Sequence, residues 1–336
     1  MRSPAFWYQP VGLPAIMLTP LAHIYGALEA VRRRTTVSQH ADIPVICVGN
    51  LTAGGAGKTP TVRALAKLLH GAGFAPAVLS RGYGGNNTTT MRVDPTYHRA
   101  IDTGDEPLML AQDLPVYVAR DRRDALNCAI ADGMQLAIKD DGFQNPTLAH
   151  NYNLIVVDAK LGLGNGLLLP AGPLRQPLTA SAPRIDAVLV IGRSSNATRR
   201  IITDRLGIDP TRIFTGDLVP VAPVPTRVLA YCGIGQPAKF FDTLRDTGFA
   251  LADTVAFADH HLFTDAEAAQ LIETAKRLNA KLMTTEKDLT RLRGAPAGSP
   301  LAALSDASAC LPVELVLDNA AGLIEDVLEK LNQPPH

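Results

Sequence analysis

The chain has 336 residues, 46% of them hydrophobic, with 32 basic and 32 acidic side chains. That length can hold two domains with sizeable cores, and the balanced charge gives no electrostatic reason to expect a nucleic-acid partner. Cys47, Cys128, Cys232 and Cys310 are too widely spaced for a CxxC metal site or a disulfide framework, and read as buried thiols of a reducing compartment.

The first element is the apolar stretch VGLPAIMLTPLAHIYGALEAVRRR, residues 11–34. Pro14 and Pro20 are expected to break it, leaving 21–31, far short of the ~20 residues that a bilayer-crossing helix needs. Its basic residues follow the apolar run, the reverse of a secretory signal. Two readings stand: a helix in the membrane interface with Arg32, Arg33 and Arg34 against anionic headgroups, or a helix packed on the protein's own core with its arginines in solvent.

PVICVG, a short β-branched run typical of a buried parallel strand, leads into NLTAGGAGKTP, residues 50–60. This is nearly the phosphate-binding pattern G-x-x-x-x-G-K-[ST], with Thr52 where the first glycine belongs. Gly54, Gly55 and Gly57, with Ala53 and Ala56 between them, let successive backbone N–H groups face phosphate oxygens. Lys58 would reach the β and γ phosphates and Thr59 a magnesium ion, and a helical pattern over 60–70 places the phosphates on a helix N-terminus. Ala53 stands where dimeric ATPases of a related type carry lysine, which disfavours that subgroup.

Further strands are expected at 76–80, 115–118, 134–138, 153–157 and 187–191, with helices at 105–113 and 121–131. The alternation implies an α/β fold, a mostly parallel sheet with helices on both faces. The proline-rich segment 217–227 reads as an extended hinge. A smaller α/β unit follows, with strands at 227–231, 251–257, 281–285 and 313–317 and helices at 237–247, 265–278 and 320–331. The expected organisation is an N-terminal helix (1–35), a phosphate-loop domain (36–216), the hinge, a small domain (228–318) and a C-terminal helix (319–336). The ligand cleft belongs between the two domains.

A nucleotide-using enzyme needs an acid near the metal. Asp158 ends the cleaner apolar run, but the adjacent Asp140 and Asp141 before a glycine repel each other unless a cation compensates them. They favour Asp141 as metal ligand with Asp140 in support, against an ordinary Asp-Gly turn. Asp105 reads first as the N-cap of a helix, and a carboxylate at this strand-to-helix junction could also accept a proton from an attacking hydroxyl. His260 and His261 lack further ligands for a metal, so one of them orients an acid, contacts substrate or lies on the surface. Arg81 with Tyr83, Arg120 with Arg122 and Arg123, and Arg175 follow strand ends, where guanidinium groups can bind phosphates. GLGNG, 162–166, lacks the context of a dinucleotide fingerprint.

In this order, GNLTAGGAGKTP, SRGYGG, GDEPLML, VARDR, DDGFQ, GNGLLLPAGPLR and DHHLF resemble the tetraacyldisaccharide 4'-kinase family of lipid A biosynthesis, and Thr52 belongs to that family's form of the loop. The resemblance implies a phosphate-loop kinase that uses ATP and Mg2+ to phosphorylate the 4'-hydroxyl of an acylated glucosamine disaccharide 1-phosphate at the cytoplasmic face of the bacterial inner membrane. It implies Asp105 as proton acceptor with His260 as its partner, and Lys58 in catalysis. Thr59, Asp140, Asp141 and Gln144 would lie at the metal, and Arg81, Tyr83, Arg120, Arg122 and Arg175 at the substrate. The N-terminal helix becomes the membrane contact. A nucleotide-dependent switch or metallochaperone and a kinase of a soluble metabolite are the rival readings.

Overall fold

The computed structural model describes residues 3–193, 196–221 and 224–332; residues 222–223 of the expected hinge and the chain's extreme termini lie outside the described residues. Eight strands come first: β1 (Val45–Gly49), β2 (Pro76–Ser80), β3 (Met91–Arg92), β4 (Val116–Val118), β5 (Leu136–Asp140), β6 (Tyr152–Asp158), β7 (Ala187–Ile191) and β8 (Ile213–Pro220). Then β9 (Arg227–Cys232), β10 (Ala250–Ala256), β11 (Lys281–Thr284) and β12 (Ser308–Cys310) are followed by β13 (Val313–Leu317). The large sheet has the order β13-β8-β7-β6-β1-β5-β2-β4-β3 and the small one β10-β9-β11-β12. All pairings are parallel except β13 with β8 and β3 with β4 at the two edges. β1 is buried along its whole length, as its unbroken apolar run requires of a strand covered on both faces.

The helix Lys58–Gly71 buries Val62, Leu65, Ala66 and Leu69, spaced to form one face, in the same cluster as Ile46, Val48 and Val78. Each such side chain contributes about 1.5–3 kcal/mol on burial, which fixes the helix start, and so the phosphate loop, over the end of β1.

Two expectations are corrected. Residues 217–220, assigned to the hinge, end β8 of the large sheet, and β13, assigned to the small unit, pairs antiparallel with β8 from Val313↔Pro220 to Leu317↔Gly216. Pro220 sits at the strand end, where a missing N–H costs little. The chain therefore crosses to the small sheet and returns, and the helix Ala320–Leu331 buries Leu323 and Val327 in the large unit's core.

Pro20 does not break the N-terminal helix, which runs unbroken over Leu13–Thr35. Ala15 and Ala22 are buried against the body, and a Cβ on Gly26 would come within 2.7 Å of Leu168. This small-residue face lets the helix lie close. The large apolar side chains point the other way: Leu13 (70% exposed), Met17 (71%) and Leu28 (66%) belong to a solvent-facing stripe with Ile16, Leu21, Ile24 and Val31. The helix packs on the body through its small residues and leaves the large apolar side chains of this stripe in solvent. Among the described residues no helix is long and apolar enough to cross a membrane.

Candidate active site

A cleft of about 840 Å³ lies between the two units and is lined by the phosphate loop, the ends of β2 and β5, and loops of the small unit. At its floor Gly54 (φ 117°) and Gly57 (φ 88°) hold left-handed backbone, and a Cβ on Gly57 would come within 2.6 Å of Ile191. Thr52 needs no such freedom, because it bridges to Leu174 in extended pairing, flanked by Ala53 N donating to Pro173 O (2.7 Å) and Arg175 N to Leu51 O (2.9 Å). The segment 173–175 is zipped to the loop and takes over the support that a first glycine gives elsewhere. Buried Asn50 completes it, donating through its side-chain amide to the carbonyls of Thr52 (2.7 Å) and Gly54 (3.2 Å). Lys58 and Thr59 open the helix and line the cleft beside Gly54, Gly55 and Gly57; the Ala56 side chain turns into the core.

Asp140 and Asp141 differ sharply. Asp141 stands at φ 47° and faces Lys58 at 3.6 Å and Arg175 at 2.9 Å. Burial opposes its charge, but those two cations hold its carboxyl below the ordinary range. Asp140 is 4% exposed, and its Oδ1 has no hydrogen-bond partner. Burial, with help from Glu106, pushes it up to about 7 against the pull of Lys58. A buried carboxylate with an unused oxygen beside a phosphate loop has donor capacity for a divalent cation, whereas the oxygens of Asp141 are taken by Arg175 and Lys58. Gln144, expected at the metal, braces the loop: its amide nitrogen donates to Asn50 O (2.7 Å), and its oxygen accepts from Arg175 (3.4 Å). Asp158 pairs with Lys239 at 3.1 Å and does not line the cleft. Among the described residues no three His, Cys, Asp or Glu converge as a metal cage. Magnesium sites completed by substrate phosphates and water do not need one.

Asp105 is not an N-cap. Gly104 (φ 89°) holds that position, and Asp105 is the first residue of the helix Asp105–Leu110, with Oδ1 accepting from Glu106 N at 2.9 Å. Its Oδ2 meets His260 Nδ1 (3.2 Å), Arg291 Nε (2.8 Å) and Arg291 Nη2 (2.5 Å), with Lys287 Nζ at 3.8 Å. Burial works against the charge, yet the bond from His260 and the charges of Lys287 and Arg291 hold the carboxyl well below the carboxylate range. His260 sits at φ 59°, anchored by its N–H to Gly233 O (3.1 Å), a strained conformation of the kind that clusters at functional sites. His261 turns away to stack on Phe257 and pair with Glu267 at 3.0 Å.

Arg81, Tyr83, Arg122 and Arg175 line the cleft; Arg120 is exposed and lies outside its lining. Tyr83 meets the His260 ring edge-on at 6.2 Å. Arg122 is 4% exposed with Nε and Nη1 unpaired, a buried guanidinium that suits an anionic ligand. Sequence reasoning missed Arg291, Lys287 and Arg63. Arg63 makes two hydrogen bonds to Glu286 (2.8 and 2.6 Å) and one to Met109 O (2.9 Å). The residues TEKDLTRLR carry the charge spacing of a solvated helix, so nothing in the sequence marks them as facing a second unit.

A family model for tetraacyldisaccharide-1-P 4'-kinases matches residues 14–332. A tetraacyldisaccharide 4'-kinase of Rhodopseudomonas palustris is 45% identical over 336 residues, covering 99% of this chain and 98% of its own. One of Bradyrhizobium diazoefficiens is 49% identical over 297 residues, 88% of each chain. A crystal structure of LpxK from Aquifex aeolicus, described as in complex with ATP, superposes with a TM-score of 0.71 at 24% identity, covering 95% of this chain and 100% of that one. The chain belongs to the tetraacyldisaccharide 4'-kinase family.

Proposed function

We propose that the protein transfers the γ-phosphoryl group of ATP to the 4'-hydroxyl of an acylated glucosamine disaccharide 1-phosphate, giving the bis-phosphorylated precursor of lipid A. The observation that carries this is one cleft holding a phosphate loop with Lys58 on its floor and an Asp105–His260 pair bonded across the two units. The bond from the 4' oxygen to the γ phosphorus forms as the bond to the β,γ-bridging oxygen breaks, and the hydroxyl proton passes to Asp105. A strongly acidic carboxyl suffices, because the loose transition state of phosphoryl transfer asks mainly for position and a proton acceptor late in the step. Arg291 and His260 fix that position, and Lys58 with Arg122 neutralises charge on the transferring group.

Thr59 and Asp140 would hold magnesium, whose bound form neutralises charge on the β and γ phosphates. The exposed stripe of the N-terminal helix lies in the membrane surface, on the cytoplasmic face, so the acceptor's acyl chains stay in the bilayer while its sugars enter the cleft. A kinase of a soluble metabolite has no use for that stripe, and a nucleotide switch has none for an Asp–His pair in the cleft. The test is ATP-dependent phosphorylation of the lipid acceptor in detergent micelles. Product bearing a new 4'-phosphate supports the assignment, and ATP hydrolysis with the acceptor left unmodified overturns it.

A further inference from the structure

The three consecutive arginines that end the N-terminal helix point in three directions, because successive helical residues are about 100° apart. Arg34 faces solvent. Arg33 is half-buried against the body, its charge acting on Arg184. Arg32 lines the cleft, as Gly54, Gly55 and Arg175 do, and its charge reaches the Tyr25 hydroxyl, which donates to Arg175 O at 3.1 Å.

Most other cations of the cleft are engaged: Lys58 and Arg175 by Asp141, Arg63 by Glu286, Lys287 by Glu106. Among the described residues Arg32 makes no ion pair. Arg81 and Arg122, also without carboxylate bonds, line the cleft together, and the charge of Arg122 acts on Asp140 beside the phosphate loop. Arg32 is on a different element and continues the apolar stripe through Leu28 and Val31 to the point where the membrane surface meets the cleft.

The acceptor brings a second anion to this cleft, the 1-phosphate on the sugar that does not react. We propose that Arg32 binds this 1-phosphate, so that the last turn of the N-terminal helix selects phosphorylated over unphosphorylated disaccharide. This rests on the functional assignment above. A guanidinium that is exposed, unpaired and next to the helix's apolar stripe matches a phosphate held at headgroup level, and the family's name places that phosphate on the acceptor.

The experiment compares wild type, Arg32→Ala and Arg32→Lys in nonionic micelles free of phospholipid, with two acceptors: the disaccharide 1-phosphate and the same lipid with a free 1-hydroxyl. Arg32→Ala should raise KM for the phosphorylated acceptor about tenfold, the scale of one charge-assisted hydrogen bond, with partial rescue by lysine. KM for the free-hydroxyl acceptor and for ATP should stay at the wild-type value. Equal losses on both acceptors, a raised KM for ATP, or no loss at all overturns the proposal. Repeating the assay with anionic phospholipid tests a headgroup contact: a loss that appears only then, and equally for both acceptors, also overturns it. If wild type phosphorylates neither acceptor, it is the functional assignment that fails.

Discussion

Asp140, proposed above to hold the metal, carries a cost in stability. Its folded carboxyl titrates near 7 against an ordinary 3.8, so between those values the folded state holds a proton that the unfolded chain has lost. The contribution of this group to stability is therefore fullest below 3.8 and falls as pH rises through 7, because the buried charge is disfavoured. Asp140→Asn removes that penalty. In the absence of divalent cations the variant should melt above wild type at pH 8 by about 2–4 °C for each kcal/mol recovered, and the gap should close near pH 4, while turnover is lost. A lower melting point at pH 8 would count against this account of the carboxylate. Asp105 behaves oppositely, since its charge is held by His260, Lys287 and Arg291. With capping excluded by Gly104, Asp105→Asn should slow turnover roughly 100-fold or more, and the loss in the Asp105→Asn, His260→Ala double variant should fall short of the product of the single losses. Multiplicative losses would show that the two act separately. The phosphate loop was legible residue by residue because its glycines and lysine are tied to chemistry. The division of labour between Asp140 and Asp141 was not, because it depends on cations brought from distant segments, Arg175 above all.

Element by element, β1, β2, β4, β5, β6 and β7 of the large sheet could be read from apolar runs to within a few residues, whereas the edge strand β3 and the proline-containing β8 could not. Lys139 hid the end of β5: it reads as an interruption, yet it is buried in the strand, with Nζ bonded to Asn145 O (2.9 Å) and His150 (3.0 Å). The N-terminal helix was legible as apolar, but which way its apolar face points was not, because that depends on Ala15, Ala22 and Gly26 fitting closely against the body. Replacing Ile16, Ile24 and Leu28 by glutamate should abolish sedimentation with anionic vesicles and leave the protein folded, since these side chains are mostly exposed to solvent. Unchanged sedimentation would remove the helix from the membrane. The helix Glu286–Leu292 joins the units through Glu286 to Arg63, Lys287 to Glu106 and Arg291 to Asp105. Glu286→Gln leaves Arg63 half-paired in a partly buried position. It should destabilise the protein by about 1–2 kcal/mol, discounted for solvent screening, and lower kcat more than it raises KM for ATP. A change confined to KM would place this pair outside the assembly of the Asp105–His260 site.

At the scale of the whole molecule, the chain leaves the large sheet through β8, builds the small one, and returns through β13 beside the strand by which it left. A sequence-based boundary at the prolines misses this, since nothing local says that 313–317 pairs with 216–220 and not with its sequence neighbours. The return path also reaches the site: Leu311 and Val313 line the cleft beside the phosphate loop. The central claim is that this cleft transfers phosphate from ATP to a lipid-anchored hydroxyl. Its most direct test is the initial rate of 4'-phosphate formation on acylated disaccharide 1-phosphate in micelles, with γ-labelled ATP, for wild type and Lys58→Ala. The account predicts label on the acceptor with wild type and a rate lower by roughly 1,000-fold with a folded Lys58→Ala protein, since lysine neutralises charge that develops in the transition state. Label appearing only as inorganic phosphate, or near-normal transfer by Lys58→Ala, would contradict it.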